Sequence, residues 1–219
     1  MKLDYAKDNL TQQPYRHYLK RYQETSPKEI SESSGLTFHE QDQAFLIRFM
    51  GVLYKVTHPE FQISHQEQGN GIYILEENID AQILLLRYLL DGNAVMSSGK
   101  LISYHDLPWG EVYYRQFQGR CISRLAREYG TRLDEFRRIM ESLPGVRKET
   151  GDAAYEFEFL EDLKLCLILW EGEEEEGFPP SAQILFSDNF PAAFSAEDVA
   201  YVGDIVMDYM KKYGKQVRK

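Results

Sequence analysis

Two cysteines, Cys121 and Cys166, are all that 219 residues contain. That count rules out an internal four-cysteine zinc or iron–sulfur site. Both fall among apolar residues, the pattern of buried thiols in a reducing compartment. Long apolar runs are missing as well, since none approaches the roughly 20 residues of a membrane-spanning helix. The opening segment MKLDYAKDNLTQQPYRHYLKRY has no apolar core of the secretory kind, so the expected setting is the cytoplasm, with no membrane partner. Net positive charge is absent too. The formal charge of −10 argues against a nucleic-acid partner, because binding phosphates needs a basic face. The one basic cluster, Lys211, Lys212, Lys215, Arg218 and Lys219, falls at a helix C-terminus and complements its dipole.

The short signatures of known chemistry are equally scarce. Gly69-Asn70-Gly71 lacks the third glycine of a dinucleotide loop, and Gly99-Lys100 lacks the leading glycine and trailing hydroxyl of a phosphate loop. No GxSxG elbow and no HExxH helix occurs. The five histidines, His17, His39, His58, His65 and His105, show no metal-ligand spacing. Glu173, Glu174, Glu175 and Glu176 offer carboxylates to a hard cation, but consecutive acids cannot all face one point. A solvated hairpin tip is the reading preferred over a cation site. No cofactor is legible.

What the chain does have is aromatic surface: 15 tyrosines and 12 phenylalanines. These suit large half-buried faces with polar tips. The chain is organised around Ser98 to Gly130, where a long helix is predicted. Pro108 suits its first turn, with Asp106 as the cap. Tyr114, Phe117, Cys121, Ile122, Leu125, Ala126 and Tyr129 recur at three- and four-residue steps as an apolar face, opposite Arg115, Arg124, Arg127 and Glu128. Gly130 reads as a left-handed stop. Gly119, costly inside a helix by about 1 kcal/mol, reads as a place of close approach.

Before this helix the pattern predicts helices over 15–24 and from Pro27 behind a Ser26 cap, ended by Gly35. Extended runs follow at Leu36–His39, Ala44–Phe49 and Val52–Val56, with Met50-Gly51 as a turn and a further strand near Phe61–Ser64. Ile72–Leu75 is another apolar run. Residues 79–90 form a helix apolar nearly all round, hence buried, and Lys100–Tyr104 is extended. After the central helix, Thr131 with Asp134 caps a third helix ending at Pro144-Gly145. Strands follow at Val146–Lys148, Ala153–Phe159, Leu163–Trp170 and Gln183–Phe186. Glu156 and Glu158 give the second of these a wet face, while Leu165 to Trp170, apolar on both faces, reads as central. Ser195, with Asp198 reciprocal, caps the last helix. The fold class is α+β, with antiparallel sheet packed against helices, as one domain over 1–219. A helix–strands–helix pseudo-repeat would divide it at 1–92 and 93–219.

The ordered segments SPKEISESSG, GVLYKV, LRYLLDG, SGKLISYHDLPWG, YYRQFQGR, GDAAYEFEFL, LILWEG with acids and then FPP, ILF and SAED span almost the whole chain. In this order they resemble the domain-of-unknown-function family 3786 of strictly anaerobic bacteria and archaea. The resemblance implies no assigned reaction. It suggests an association with corrinoid, tetrapyrrole or methyl-transfer chemistry, and in some members an added cysteine-rich iron–sulfur segment. That segment is missing here. EGEEEEGFPP is also longer than the family's usual turn, and SDNF replaces an aspartate that commonly follows the phenylalanine.

The candidate site gathers at the start of the central helix. His105 titrates near neutrality beside Asp106, Trp109 and Tyr113 offer aromatic walls, and Arg120 can clamp an anion bidentately. Trp170 is expected nearby. Each has a plain structural alternative, as core, cap or ion pair. Three readings stay open: a small-molecule or partner-binding accessory domain with an aromatic-lined cleft; an enzyme using His105, Asp106 and Arg120 on an anionic substrate; and an assembly protein whose tyrosine-rich face joins copies in a homo-oligomer.

Overall fold

The computed structural model of the chain describes residues 13–66, 71–173 and 177–217. Gly69, Asn70, Glu174, Glu175, Glu176, Arg218 and Lys219 lie outside the described residues. The fold is α+β, and every strand pair is antiparallel. Contacts divide the chain into two compact units.

The first unit holds the described residues to Arg48 with Val52–Val95 and Ala192–Phe194. Helix α1 (Gln13–Glu24) turns into α2 (Pro27–Ser34) through a capping box. Ser26 Oγ accepts from the Glu29 amide at 3.3 Å, and Glu29 Oε2 accepts from the Ser26 amide at 3.0 Å. Gly35 ends α2 at φ 73, as its spacing predicts. Any side chain there would meet Ala94 Cβ at 2.5 Å. Strands β1 (Phe38–His39), β2 (Ala44–Phe49), β3 (Val52–Thr57) and β4 (Ile63–His65) follow, with β1 on β2 and β3 between β2 and β4. The apolar run at Ile72–Leu75 is not extended: it enters a helical turn, α3 (Ile74–Glu77). Helix α4 (Ile79–Asp91), capped by Asn78, buries Leu84, Leu85, Leu86, Tyr88 and Leu89. A bidentate pair joins Arg21 to Asp91, with contacts of 2.9 and 2.6 Å.

The second unit holds Phe49–Gly51, Met96–Pro191 and Ser195 onward. Its strands are β5 (Leu101–Ile102), β6 (Gly145–Lys148), β7 (Ala153–Leu160), β8 (Leu163–Trp170) and β9 (Ser181–Ser187). They run β7-β8-β9-β5, with β6 added on β7. β8 is therefore interior, as its two-sided apolar pattern predicts. The turn Met50-Gly51 belongs here, with both residues at positive φ, 48 and 80. Phe49 pairs with Leu160, and the Met50 amide donates to Phe159 O at 2.9 Å.

One face of this sheet carries Tyr155, Phe157, Leu165, Leu167, Ile184 and Phe186, all buried. The other is not simply wet. Ala154, Cys166 and Ile168 are buried there beneath half-covered Leu101, Trp170 and Leu185, and Glu156 is neutralised by Lys148 at 2.9 Å.

The central helix departs most from its sequence reading. It is α5 (Gly110–Phe117), a π turn (Gln118–Ile122) and α6 (Ser123–Tyr129). Pro108 stands before it, not in its first turn. Leu107 O accepts from the Gly110 amide at 2.8 Å, and Trp109 turns left-handed at φ 66 to begin the helix. Asp106 caps the preceding 3-10 turn (Tyr104–Asp106) instead, which shortens the expected extended piece to Leu101–Ile102. Gly130 is right-handed at φ −63; its missing side chain makes room for Pro180, whose Cβ would lie 2.2 Å from an added methyl. Gly119 meets nothing within 4 Å, so no other described part of the chain approaches it.

Helix α7 (Leu133–Met140) begins at Arg132 with no side-chain cap. The Thr131–Asp134 box does not form, and Asp134 pairs with Arg137 at 2.9 Å. Its predicted face is buried: Leu133, Phe136, Met140 and Leu143. The last helix, α9 (Ala196–Val217) after the short α8 (Phe190–Ala193), has the predicted box, Ser195 Oγ accepting from the Asp198 amide at 3.3 Å. It packs on the central helix where Gly203 faces Cys121 and Phe117. Tyr104 stacks on Phe117 at 4.1 Å, and Phe117 meets Phe186 at 5.8 Å. Full burial of each such ring contributes about 1.5–3 kcal/mol.

Candidate functional site

The predicted site residues fall into separate environments. His105 Nδ1 lies 2.9 Å from Glu111 Oε1, and its ring sits 3.7 Å from that of Tyr114. Asp106 Oδ2 accepts from both the Ser103 amide and the Ser103 hydroxyl at 2.8 Å, bonds that hold its carboxyl below the usual value. Trp109 is 78% exposed, with Val112 66% exposed one turn on. Tyr113 is half-buried. Arg120 is engaged on another side, bonded to Asp204 and lying 5.1 Å from the ring centre of Tyr201. Burial pushes the Asp204 carboxyl up, against the pull of that guanidinium. One turn along, Arg124 reaches Glu128 at 3.2 Å and Asp208 at 3.1 Å. Arg120 and Arg124 therefore tie the central helix to α9.

Trp170 and Tyr114 border a cleft of about 710 Å³, within the size range of small-molecule sites. Its helical wall is Tyr114, Gln118, Ile122, Ser123, Ala126 and Arg127. The facing wall is Trp170 with Pro179, Pro180, Ser181, Ala182 and Gln183. This wall is held firmly, because Pro180 fits over two glycines, Gly130 and Gly172, where any Cβ would clash. The bridge between Glu173 and Phe178, with N–O distances of 2.9 and 3.1 Å, fixes the base of the hairpin.

The π turn explains how one helix supplies this wall. Successive residues of an α-helix are about 100° apart, so Gln118 and Arg127, nine residues apart, would point about 180° apart. A π turn carries one extra residue and takes back roughly 100°, which leaves the two about 80° apart on one side. The same correction keeps the buried row Phe117, Cys121, Leu125 and Tyr129 facing inward, although four-residue steps over an uninterrupted α-helix would drift about 120°. That strict four-residue spacing is the signal in the sequence from which the π turn, and so the cleft, was readable.

The cleft mixes aromatic and apolar surface with polar groups that are not consumed internally. Among the described residues, the side chains of Gln118, Ser123, Arg127, Ser181 and Gln183 make no hydrogen bond or ion pair. No carboxylate, imidazole or thiol stands among the described residues that line it. Nor do the described residues contain a group of three or more histidine, cysteine, aspartate or glutamate side chains able to hold a metal. No helix among them is long and apolar enough to cross a membrane. Both thiols are free and buried, and burial pushes Cys121 up to about 12 and Cys166 to about 11.

A family model described as "Domain of unknown function (DUF3786)" matches residues 26–209. The chain belongs to this family. The match spans both units and includes every residue that lines the cleft. No curated protein and no solved structure matches the chain.

Proposed function

We propose that the protein is a small-molecule-binding accessory protein whose ligand occupies the cleft between the central helix and Trp170. The observation that carries this reading is a concave surface on rigid elements whose polar side chains are left unpaired among the described residues. Aromatic walls with a few convergent polar groups are the usual composition of a ligand site. Among the described lining residues no carboxylate, imidazole or thiol stands beside the Ser123 and Ser181 hydroxyls to activate them, which favours binding over catalysis. An acid–base enzyme would need His105, Asp106 and Arg120 together, and each is engaged with a different partner. The tetrapyrrole association suggested by the family resemblance enters as a ligand class to screen. A corrinoid seated here would be held by its periphery, since the described lining holds no histidine, cysteine or methionine.

The test is a metabolite screen by thermal shift on the wild type and on Ser123→Trp. Ser123 is exposed and lines the cleft, so the new indole fills it without touching the core. A ligand at 100 times its Kd adds about 2.7 kcal/mol, which raises Tm by roughly 5–10 °C in a chain of this size. Shifts in the wild type that vanish in Ser123→Trp support the reading. Equal shifts in both proteins refute it. Trp170 gives a second signal, as the sole tryptophan once Trp109 is replaced by Phe.

A docked protein partner or second copy is the other reading, favoured by Trp109. Its left-handed backbone costs about 1–2 kcal/mol, and the ring it presents is largely uncovered beside Val112. Light scattering on wild type and Trp109→Ser checks it: a larger species that Trp109→Ser dissociates supports a homo-oligomer, and a monomer in both removes that form.

A further inference from the structure

We infer that the cleft selects an oxyanion carried on a flat apolar body, with Arg127 as the anion-binding group and the Tyr114 ring as the stacking surface. This deepens the reading of the cleft as a small-molecule site and rests on it.

Arg127 differs from the other arginines of the central helix that face α9. Arg120 and Arg124 are neutralised by Asp204, Asp208 and Glu128. Arg127 lines the cleft, is exposed, and has no ion-pair or hydrogen-bond partner among the described residues. In a chain of formal charge −10, a guanidinium at a concave surface with no partner among the described residues is the group an anion finds. A guanidinium offers a planar fork of donors that matches a carboxylate or phosphate edge. Gln118, on the helical wall, adds an amide donor for the same head group or an acceptor for a polar edge. The remaining surface is flat or apolar: the Tyr114 ring with Ile122, Ala126, Pro179 and Pro180. Such walls suit a planar body and give a saturated chain no stacking.

No group transfer is implied. The lining supplies a cation, amides, hydroxyls and rings, which together bind and orient.

The experiment uses two fluorescent probes of nearly the same shape, anionic 1-anilinonaphthalene-8-sulfonate and neutral N-phenyl-1-naphthylamine. They are titrated into wild type, Arg127→Gln, Arg127→Lys and Ser123→Trp. The wild type is expected to bind the anion more tightly, and Arg127→Gln to weaken it about tenfold, the loss of one charge-assisted contact. Arg127→Lys should recover part of that loss, and the neutral probe should change by less than twofold in both. Displacement of the anionic probe by benzoate or phenyl phosphate, but not by benzamide, completes the expected result, and the stronger of the two names the head group. If Ser123→Trp abolishes both probes while Arg127→Gln alters neither, the anion assignment is overturned and the cleft remains a neutral-ligand site. If Ser123→Trp alters neither probe, the assignment and the underlying reading both fall.

Discussion

Gly203→Ala tests the contact on which the central helix depends. Gly203 is a buried residue in the middle of α9, and a methyl group there would lie 2.4 Å from Cys121 Sγ, 3.0 Å from Cys121 Cβ and 3.3 Å from a Phe117 ring carbon. Neither neighbour has room to retreat, since both are fully buried. Overpacking of this kind costs about 1–3 kcal/mol, and so tight a contact with fully buried side chains belongs at roughly 2–3. Alanine returns about 1 kcal/mol through its better helix propensity. The net loss is therefore about 1–2 kcal/mol, or roughly 2–8 °C in Tm for a chain of this length. Cys121→Ala removes Sγ, so it should cost less in the Gly203→Ala background than alone, a coupling of about 1 kcal/mol. Urea denaturation of the four proteins of this cycle, with Gly119→Ala as a control in open space, provides the measurement. Gly203→Ala at or above wild-type stability, with additive effects in the cycle, would refute the packing of α9 on the π turn.

Three further outcomes follow from particular groups. Neither Cys121 nor Cys166 should react with a disulfide reagent at pH 8 in the native protein, since burial leaves almost no thiolate at pKa values of about 12 and 11; both should react in denaturant. Asp106 should titrate below its ordinary 3.8 by carboxyl NMR and return toward it in Ser103→Ala. A lowered native pKa means that its contribution to stability is present above 3.8 and is lost as the pH falls through the lowered value. Trp109→Gly should raise stability by about 1 kcal/mol, because glycine removes the left-handed strain and little packing is lost from a side chain 78% exposed; a drop would show that the ring packs more than its exposure implies.

Most of the fold was legible, and the failures share a cause. Ser26 with Glu29, Ser195 with Asp198, the Met50-Gly51 turn and β8 were readable because each is fixed by a few neighbouring residues. Gly130 and Thr131 misled because their roles depend on distant chain: Pro180 approaches the first, and α7 begins one residue later than a box at the second requires. At the candidate site, sequence proximity gathered His105, Asp106, Trp109, Tyr113 and Arg120, and the structure engages His105 with Glu111, Asp106 with Ser103 and Arg120 with Asp204. Trp170, also expected at the site, lines the cleft together with the helix face from Gln118 onward. Arg127 was passed over because a single 3.6-residue period puts it on the solvent side. Only the phase change at the π turn brings it round.

That phase change has an evolutionary consequence. A side chain on this helix can reach the cleft by substitution, or by the gain or loss of a single residue between positions 118 and 122. Gly119, exposed and touching nothing, is where an insertion would meet least resistance. One codon there rotates the whole C-terminal half of the helix by about 100° and replaces Ser123, Ala126 and Arg127 in the cleft together. Because Cys121, Leu125 and Tyr129 turn with them, such a change must be answered on the facing side of α9, at Ala200 and Gly203. The lining of the cleft and helix–helix packing are thus inherited as one unit, and alignments of relatives should show gaps at 118–122 accompanied by exchanges near 200–203.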